Sequence, residues 1–164
     1  MIPKFSRRDA LRAATAGAAV SLIGAQAAEA AGCNETSKLA KPRDLANIPE
    51  KFLKRQTLSE VHLEKWRGVG NLFLRMRRLT IAPGGFVPTH YHDDRPSIVY
   101  MLKGELWEHN SFCSEPIVHR EGDWTAEFGP FVGHWWENRT NSEAIVLSAD
   151  VIPPEYKDMA DMDM

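Results

Sequence analysis

The sequence predicts an all-β domain, a small barrel or sandwich, and three observations carry that prediction. From residue 72 onward, short stretches rich in β-forming residues follow one another closely. Glycine, proline and asparagine pairs punctuate them, as the turns of such a fold require. The chain has 164 residues, a length for one domain, and its five tryptophans all lie in the C-terminal two-thirds. The core is therefore expected there.

Taken in order, residues 1–30 read as a targeting segment. Lys4, Arg7, Arg8 and Arg12 make a basic start, and an uncharged Ala- and Gly-rich stretch follows from residue 13 to 28. Ala28-Glu29-Ala30 then offers a small-residue cleavage pattern. The Arg7-Arg8 pair before a weakly apolar run resembles a twin-arginine export signal, so a periplasmic protein is expected. The run is too short and too weakly apolar for a good membrane span. Residues 31–71 form an N-terminal arm with Pro42 and Pro49. Within it, Phe52, Leu53, Leu58, Val61 and Leu63 suggest a short helix over residues 51–64.

The barrel is assigned to residues 72–152. Its expected strands are 72–81, 97–102, 105–109, 117–119, 123–128, 134–137 and 144–151. They are separated by Pro83-Gly84-Gly85, Lys103-Gly104, Glu121-Gly122, Gly129-Pro130 and Thr140-Asn141. Residues 153–164 are expected to be a flexible tail of methionine and acidic residues.

Charge excludes some partners. Removing residues 1–30 takes four basic and two acidic residues from 20 and 22, leaving 16 against 20. That acidic balance argues against nucleic acid and against an anionic membrane beyond the export step. Cys33 and Cys113 could pair in an oxidising compartment.

Three histidines carry the chemistry. His90 and His92 are two apart, so on a strand both imidazoles point to one face and can take neighbouring corners of one metal site. His134, before Trp135-Trp136, could close that site from a facing strand. His62, His109 and His119 read as surface or turn residues. Glu108 and Glu127 are acid/base candidates only if they point inward. Arg95 follows the histidine pair and could clamp a carboxylate, or form a structural ion pair instead.

From Gly84 the chain runs five residues to His90-Tyr91-His92, four more to Ser97, and six more to Gly104. His134-Trp135-Trp136-Glu137-Asn138 supplies a second His-x-x-x-Asn element. These spacings resemble the two motifs of the cupin family, over about residues 72–151. The resemblance implies a single cupin barrel, a double-stranded β-helix or jelly roll, with a short N-terminal helix or arm. It also implies that His90, His92 and His134 hold one divalent transition metal.

The family's carboxylate ligand position is occupied here by Ser97, so a three-histidine site is expected, with Asp93 or Asp94 as alternative carboxylates. Such a site resembles that of small cupin dioxygenases. Iron is the expected metal, with zinc, manganese, nickel and copper as alternatives. The expected partner is a small-molecule substrate or ligand, anionic if Arg95 steers it, and a homodimer is left open. The functions weighed are an Fe(II)-dependent oxygenase, a non-catalytic binding protein, and a zinc hydrolase or isomerase.

Overall fold

The computed structural model describes residues 32–157, so the expected export signal and residues 158–164 lie outside the described residues. Eight strands form the domain: β1 Lys51–His62, β2 Phe73–Tyr91, β3 Ser97–Lys103, β4 Glu105–Asn110, β5 Ile117–Arg120, β6 Trp124–Glu127, β7 Gly133–Glu137 and β8 Ala144–Ile152. They pair in the order β5-β4-β7-β2-β8-β3-β6, with β1 beside β2, as a nearly closed jelly-roll barrel.

β2 belongs to both halves of the barrel. Its first part, through Ile81, lies between β1 and β8, and its last part, from Phe86, pairs with β7. The bend falls at Pro83-Gly84-Gly85. Gly84 has φ +69°, a conformation open to glycine at no steric cost. A side chain at Gly85 would lie 2.8 Å from the Ala82 carbonyl and 2.9 Å from that of Lys51. Asn138 braces this bend, donating through Nδ2 to the carbonyls of Ile81 and Ser142 at 2.9 and 2.7 Å. The asparagine of the second motif is thus a structural brace.

The core follows from alternation along the strands. Leu79, Ile81, Val87, Val99, Met101, Leu106, Trp136, Ala144 and Val146 pack together inside. Truncating one of the larger ones, such as Leu106→Ala, costs about 2–5 kcal/mol by transfer and cavity effects.

The expected helix over residues 51–64 is instead strand β1, paired along β2 from Phe86 to Phe73. Two register shifts, between Lys51 and Leu53 and between Thr57 and Ser59, reverse the in-out parity. They scatter the apolar residues so that no period of two survives to be read. The first half of β2 needs a partner on its open edge, and that pairing overrides the local pattern. Residues 153–157 do not hang free either. Pro154–Tyr156 form a 3₁₀ turn, and the Tyr156 hydroxyl donates to Asp94 Oδ2 at 2.9 Å.

Cys33 and Cys113 form a disulfide with Cα atoms 5.7 Å apart, tying the arm to the segment after β4. Next to it, Lys38 makes an isolated antiparallel bridge with Cys113.

Candidate metal centre

β2 and β7 bring the three histidines together. His90 and His134 are paired across the two strands, and His92 follows His90 on the same face just past the end of β2. All three side chains are buried, at 7%, 2% and 1% exposure. His134 Nε2 lies 3.1 Å from His90 Nε2 and 3.1 Å from His92 Nε2.

The opposite ring nitrogens fix the tautomers. His90 Nδ1 donates to the Pro88 carbonyl at 2.9 Å, and His92 Nδ1 to the Arg95 carbonyl at 2.9 Å. His134 Nδ1 donates to Glu108 Oε1 at 2.8 Å. Carbonyls and carboxylates only accept, so each neutral ring carries its proton on Nδ1 and turns a bare Nε2 lone pair inward. Three lone pairs aimed at one another repel unless a cation sits between them. A metal about 2.1 Å from each nitrogen, with right angles between bonds, separates the nitrogens by about 3.0 Å.

A carboxylate joins the cluster from an unexpected strand. Ser97 on β3 is paired with Glu127 on β6, and both side chains are buried. The Ser97 hydroxyl donates to Glu127 Oε2 at 2.6 Å, and that oxygen lies 3.2 Å from His92 Nε2. Glu127 Oε1 is buried without a hydrogen-bond partner. A buried carboxylate oxygen with no donor is costly, and a metal ion would satisfy it. The three imidazoles therefore fit a cation, with the Glu127 carboxylate 3.2 Å from His92 Nε2. Asp93 and Asp94 do not join them: Asp93 Oδ1 accepts the Phe131 N–H, and Asp94 is held by Tyr156.

Burial, with the nearby charges of His134 and Arg95, holds His92 down to about 3. Burial pushes the Glu127 carboxyl up. Burial would lower His134, but the charge of Glu127 and the hydrogen bond to Glu108 outweigh it and raise the imidazole. His92 and Glu127 are thus driven toward their neutral forms and His134 toward its protonated form. Glu108 is held low: its burial is outweighed by hydrogen bonds from His119 and His134.

The histidines line a cavity of about 30 Å³ with Arg77, Arg95, Ser97, Glu127 and Ser148. Leu79, Val87, Val99, Trp136 and Val146 supply its apolar walls. That is room for about two waters. Arg95 is 1% exposed, and its Nη1 lies 3.7 Å from Asp150 Oδ2. Asp150 also receives Arg75 through two bonds, at 3.1 and 2.7 Å, and Arg77 at 3.1 Å. The sequence reading singled out Arg95 but missed Arg75 and Arg77. The signal was present, since Arg75 and Arg77 continue the inward alternation of Leu79 and Ile81, as Asp150 continues that of Val146 and Ser148.

The other histidines divide. His62 is exposed and stacks on Phe73 at 4.5 Å, and His109 stacks on Trp135 at 3.7 Å. His119, expected at the surface, is 0% exposed and points inward from β5. A four-residue strand was too short to reveal which face it presents.

Comparison with known proteins follows this geometry. The cupin family model matches residues 45–158. A probable germin-like protein, subfamily 2 member 5, of Arabidopsis thaliana is 31% identical over 91 residues, covering 54% of this chain and 42% of that protein. Germin-like protein 3-5 of Oryza sativa subsp. japonica is 32% identical over 71 residues, covering 43% and 30%. The chain thus spans less than half the length of these curated relatives. Among solved structures, a cupin-superfamily sugar phosphate isomerase from Silicibacter pomeroyi aligns with TM-score 0.47 and 19% identity, covering 65% of this chain and 73% of that one. A recombinant oxalate oxidase in complex with glycolate aligns with TM-score 0.45 and 22% identity, covering 71% and 61%. With the family match spanning most of the described residues and the histidine motif set in this barrel, the chain belongs to the cupin family.

Proposed function

We propose that this cupin is a metal-dependent oxidoreductase acting on a small anionic organic substrate, with Fe(II) as its working metal. The observation that carries the reading is the convergence of three Nε2 lone pairs beside the Glu127 carboxylate, whose Oε2 lies 3.2 Å from His92 Nε2. His90, His92, His134 and Glu127 would hold the ion. His134 Nε2 lies 3.1 Å from His90 Nε2 and from His92 Nε2, and Glu127 Oε2 lies 3.2 Å from His92 Nε2. Four protein donors would leave two positions open on a six-coordinate ion such as iron or manganese. When bound, the metal supplies electron transfer and a Lewis-acid centre for substrate.

The protein's own groups set which substrate fits. With Glu127 ionised as a metal ligand would be, the buried Arg75, Arg77 and Arg95 balance Asp150, Glu108 and Glu127. A divalent ion adds two positive charges to a balanced interior, so an anionic guest restores neutrality. Arg77 and Arg95 stand in the cavity wall to orient it, and the apolar walls exclude water. The small cavity restricts that guest to a few heavy atoms. Elemental analysis of protein from its native compartment, followed by oxygen uptake with short carboxylates, tests the reading. Iron with substrate-dependent uptake supports it. Zinc without uptake transfers the site to hydrolysis or isomerisation, and anion binding without turnover to a binding protein.

We infer as well that the protein is exported folded to the periplasm through Arg7-Arg8. The Cys33–Cys113 pairing supports an oxidising destination. Replacing both arginines by lysine should strand the precursor in the cytoplasm, and normal periplasmic accumulation would refute the route.

A further inference from the structure

We propose that His119 is a positioning residue for the metal centre, holding Glu108 so that Glu108 in turn holds His134. The inference rests on reading the histidine cluster as a metal site. Three neighbouring strands build the arrangement. β5, β4 and β7 lie side by side, and His119, Glu108 and His134 all face inward from them.

Glu108 is anchored at both oxygens. Oε1 accepts His134 Nδ1–H at 2.8 Å and Asn110 Nδ2–H at 2.8 Å. Oε2 accepts His119 Nε2–H at 2.7 Å. Without the donor on Oε2, the carboxylate could rotate about its terminal torsion, which is soft in glutamate. The Oε1 contact that fixes the His134 ring plane would rotate with it. A metal-bound histidine depends on such a partner for both tautomer and orientation.

The tautomer of His119 is fixed by the same geometry. With its proton on Nε2, its Nδ1 is a bare lone pair, and that atom is buried without a hydrogen-bond partner. The opposite tautomer would put a lone pair against the carboxylate. The ring is also clamped in plane by stacking on Trp136, at 4.3 Å and 20° between planes. A buried histidine that leaves one nitrogen unsatisfied while satisfying a carboxylate beside a metal ligand is explained by that service.

The test uses the full-length mature protein loaded with Co(II), whose visible bands report ligand geometry, with Co(II) affinity measured by chelator competition. Wild type must first bind one Co(II) through the cluster; if it does not, the metal-site reading itself fails. His119→Phe keeps the ring, the volume and the Trp136 stack but removes the donor. It should weaken Co(II) binding about tenfold and shift the visible bands. His119→Gln restores an N–H donor and should return affinity to within about threefold of wild type, with wild-type bands. Should the Phe variant not fold, His119→Asn replaces it, being too short to reach Glu108 and expected to lose affinity equally. Wild-type affinity and bands in the Phe or Asn variant, or equal loss in Gln, would overturn the inference.

Discussion

Ser97 and Glu127 face each other across β3 and β6, and the serine hydroxyl donates to the glutamate carboxylate at 2.6 Å. A carboxylate, absent from the first motif, is thereby held beside the histidine cluster from the neighbouring strand. The two positions form one unit, so they should be exchangeable only together. Ser97→Glu alone would set two buried carboxylates against each other, destabilising the fold by about 3 kcal/mol. Glu127→Ser alone should fold but bind metal at least tenfold more weakly, roughly. The exchanged pair, Ser97→Glu with Glu127→Ser, should recover both stability and affinity. Thermal unfolding and metal competition on the three variants decide it, and a double variant no better than the worse single would refute the pairing.

His92→Ala should remove most bound metal while the barrel survives. His92 contributes one Nε2 to the cluster and no strand pairing, since it lies just beyond β2. The loss in affinity should exceed the roughly 100-fold ceiling for an outer partner, because a ligand itself is gone. Far-ultraviolet circular dichroism unchanged from wild type, with metal content near zero by mass spectrometry, is the expected result. Stoichiometric metal would remove His92 from the ligand set.

Acid should destabilise the metal-free protein in a defined window, and His92 sets it. Its folded value lies near 3, lowered by burial, while in the unfolded chain it returns to about 6.5. Between these values the unfolded state binds a proton that the folded state refuses. Stability contributed by the neutral ring is therefore complete above about pH 6.5 and falls as pH drops, by about 1.4 kcal/mol per unit at most. Glu108 adds a loss at lower pH, since its folded carboxyl is held down by His119 and His134 despite burial. His134 is raised, so its contribution is present at low pH and fades as pH rises. Comparing wild type with His92→Ala by urea unfolding from pH 7 to 4 isolates the first effect. Parallel curves would contradict it.

The parts of this site that were legible in sequence are those specified locally. His90 and His92 share a face because two residues span one strand period, and their distance to Gly104 matches the family spacing. Glu127 was out of reach for a different reason. Its place beside His92 depends on which strand pairs with β3 and in what register, and no local spacing encodes that. β1 was misread because two bulges broke its alternation, and His119 because a short strand shows no face. Arg75 and Arg77 lay in plain alternation with the core. They were overlooked because charge at inward positions runs against the ordinary pattern.

The arginine group should govern anion binding separately from metal binding. Arg77 reaches the cavity from β2 and Arg95 from the loop after His92, while Arg75 is bound to Asp150 by two bonds and does not line the cavity. Arg77→Met keeps much of the stem volume but removes one cavity charge. The metal ligands are untouched, so metal content should stay stoichiometric. Affinity for formate or acetate at the loaded site should fall about tenfold, the value of one charge-assisted hydrogen bond at about 1.5 kcal/mol. Asp150→Asn acts on all three arginines at once. It removes the carboxylate that Arg75 and Arg77 bond and that Arg95 approaches at 3.7 Å, so stability should drop by about 3–5 kcal/mol. If that variant folds, its anion affinity should rise, since the excess positive charge must be met by the guest. Isothermal titration of both metal-loaded variants with formate measures the two effects. An Arg77→Met protein that binds formate as wild type does would place the anion away from the arginines.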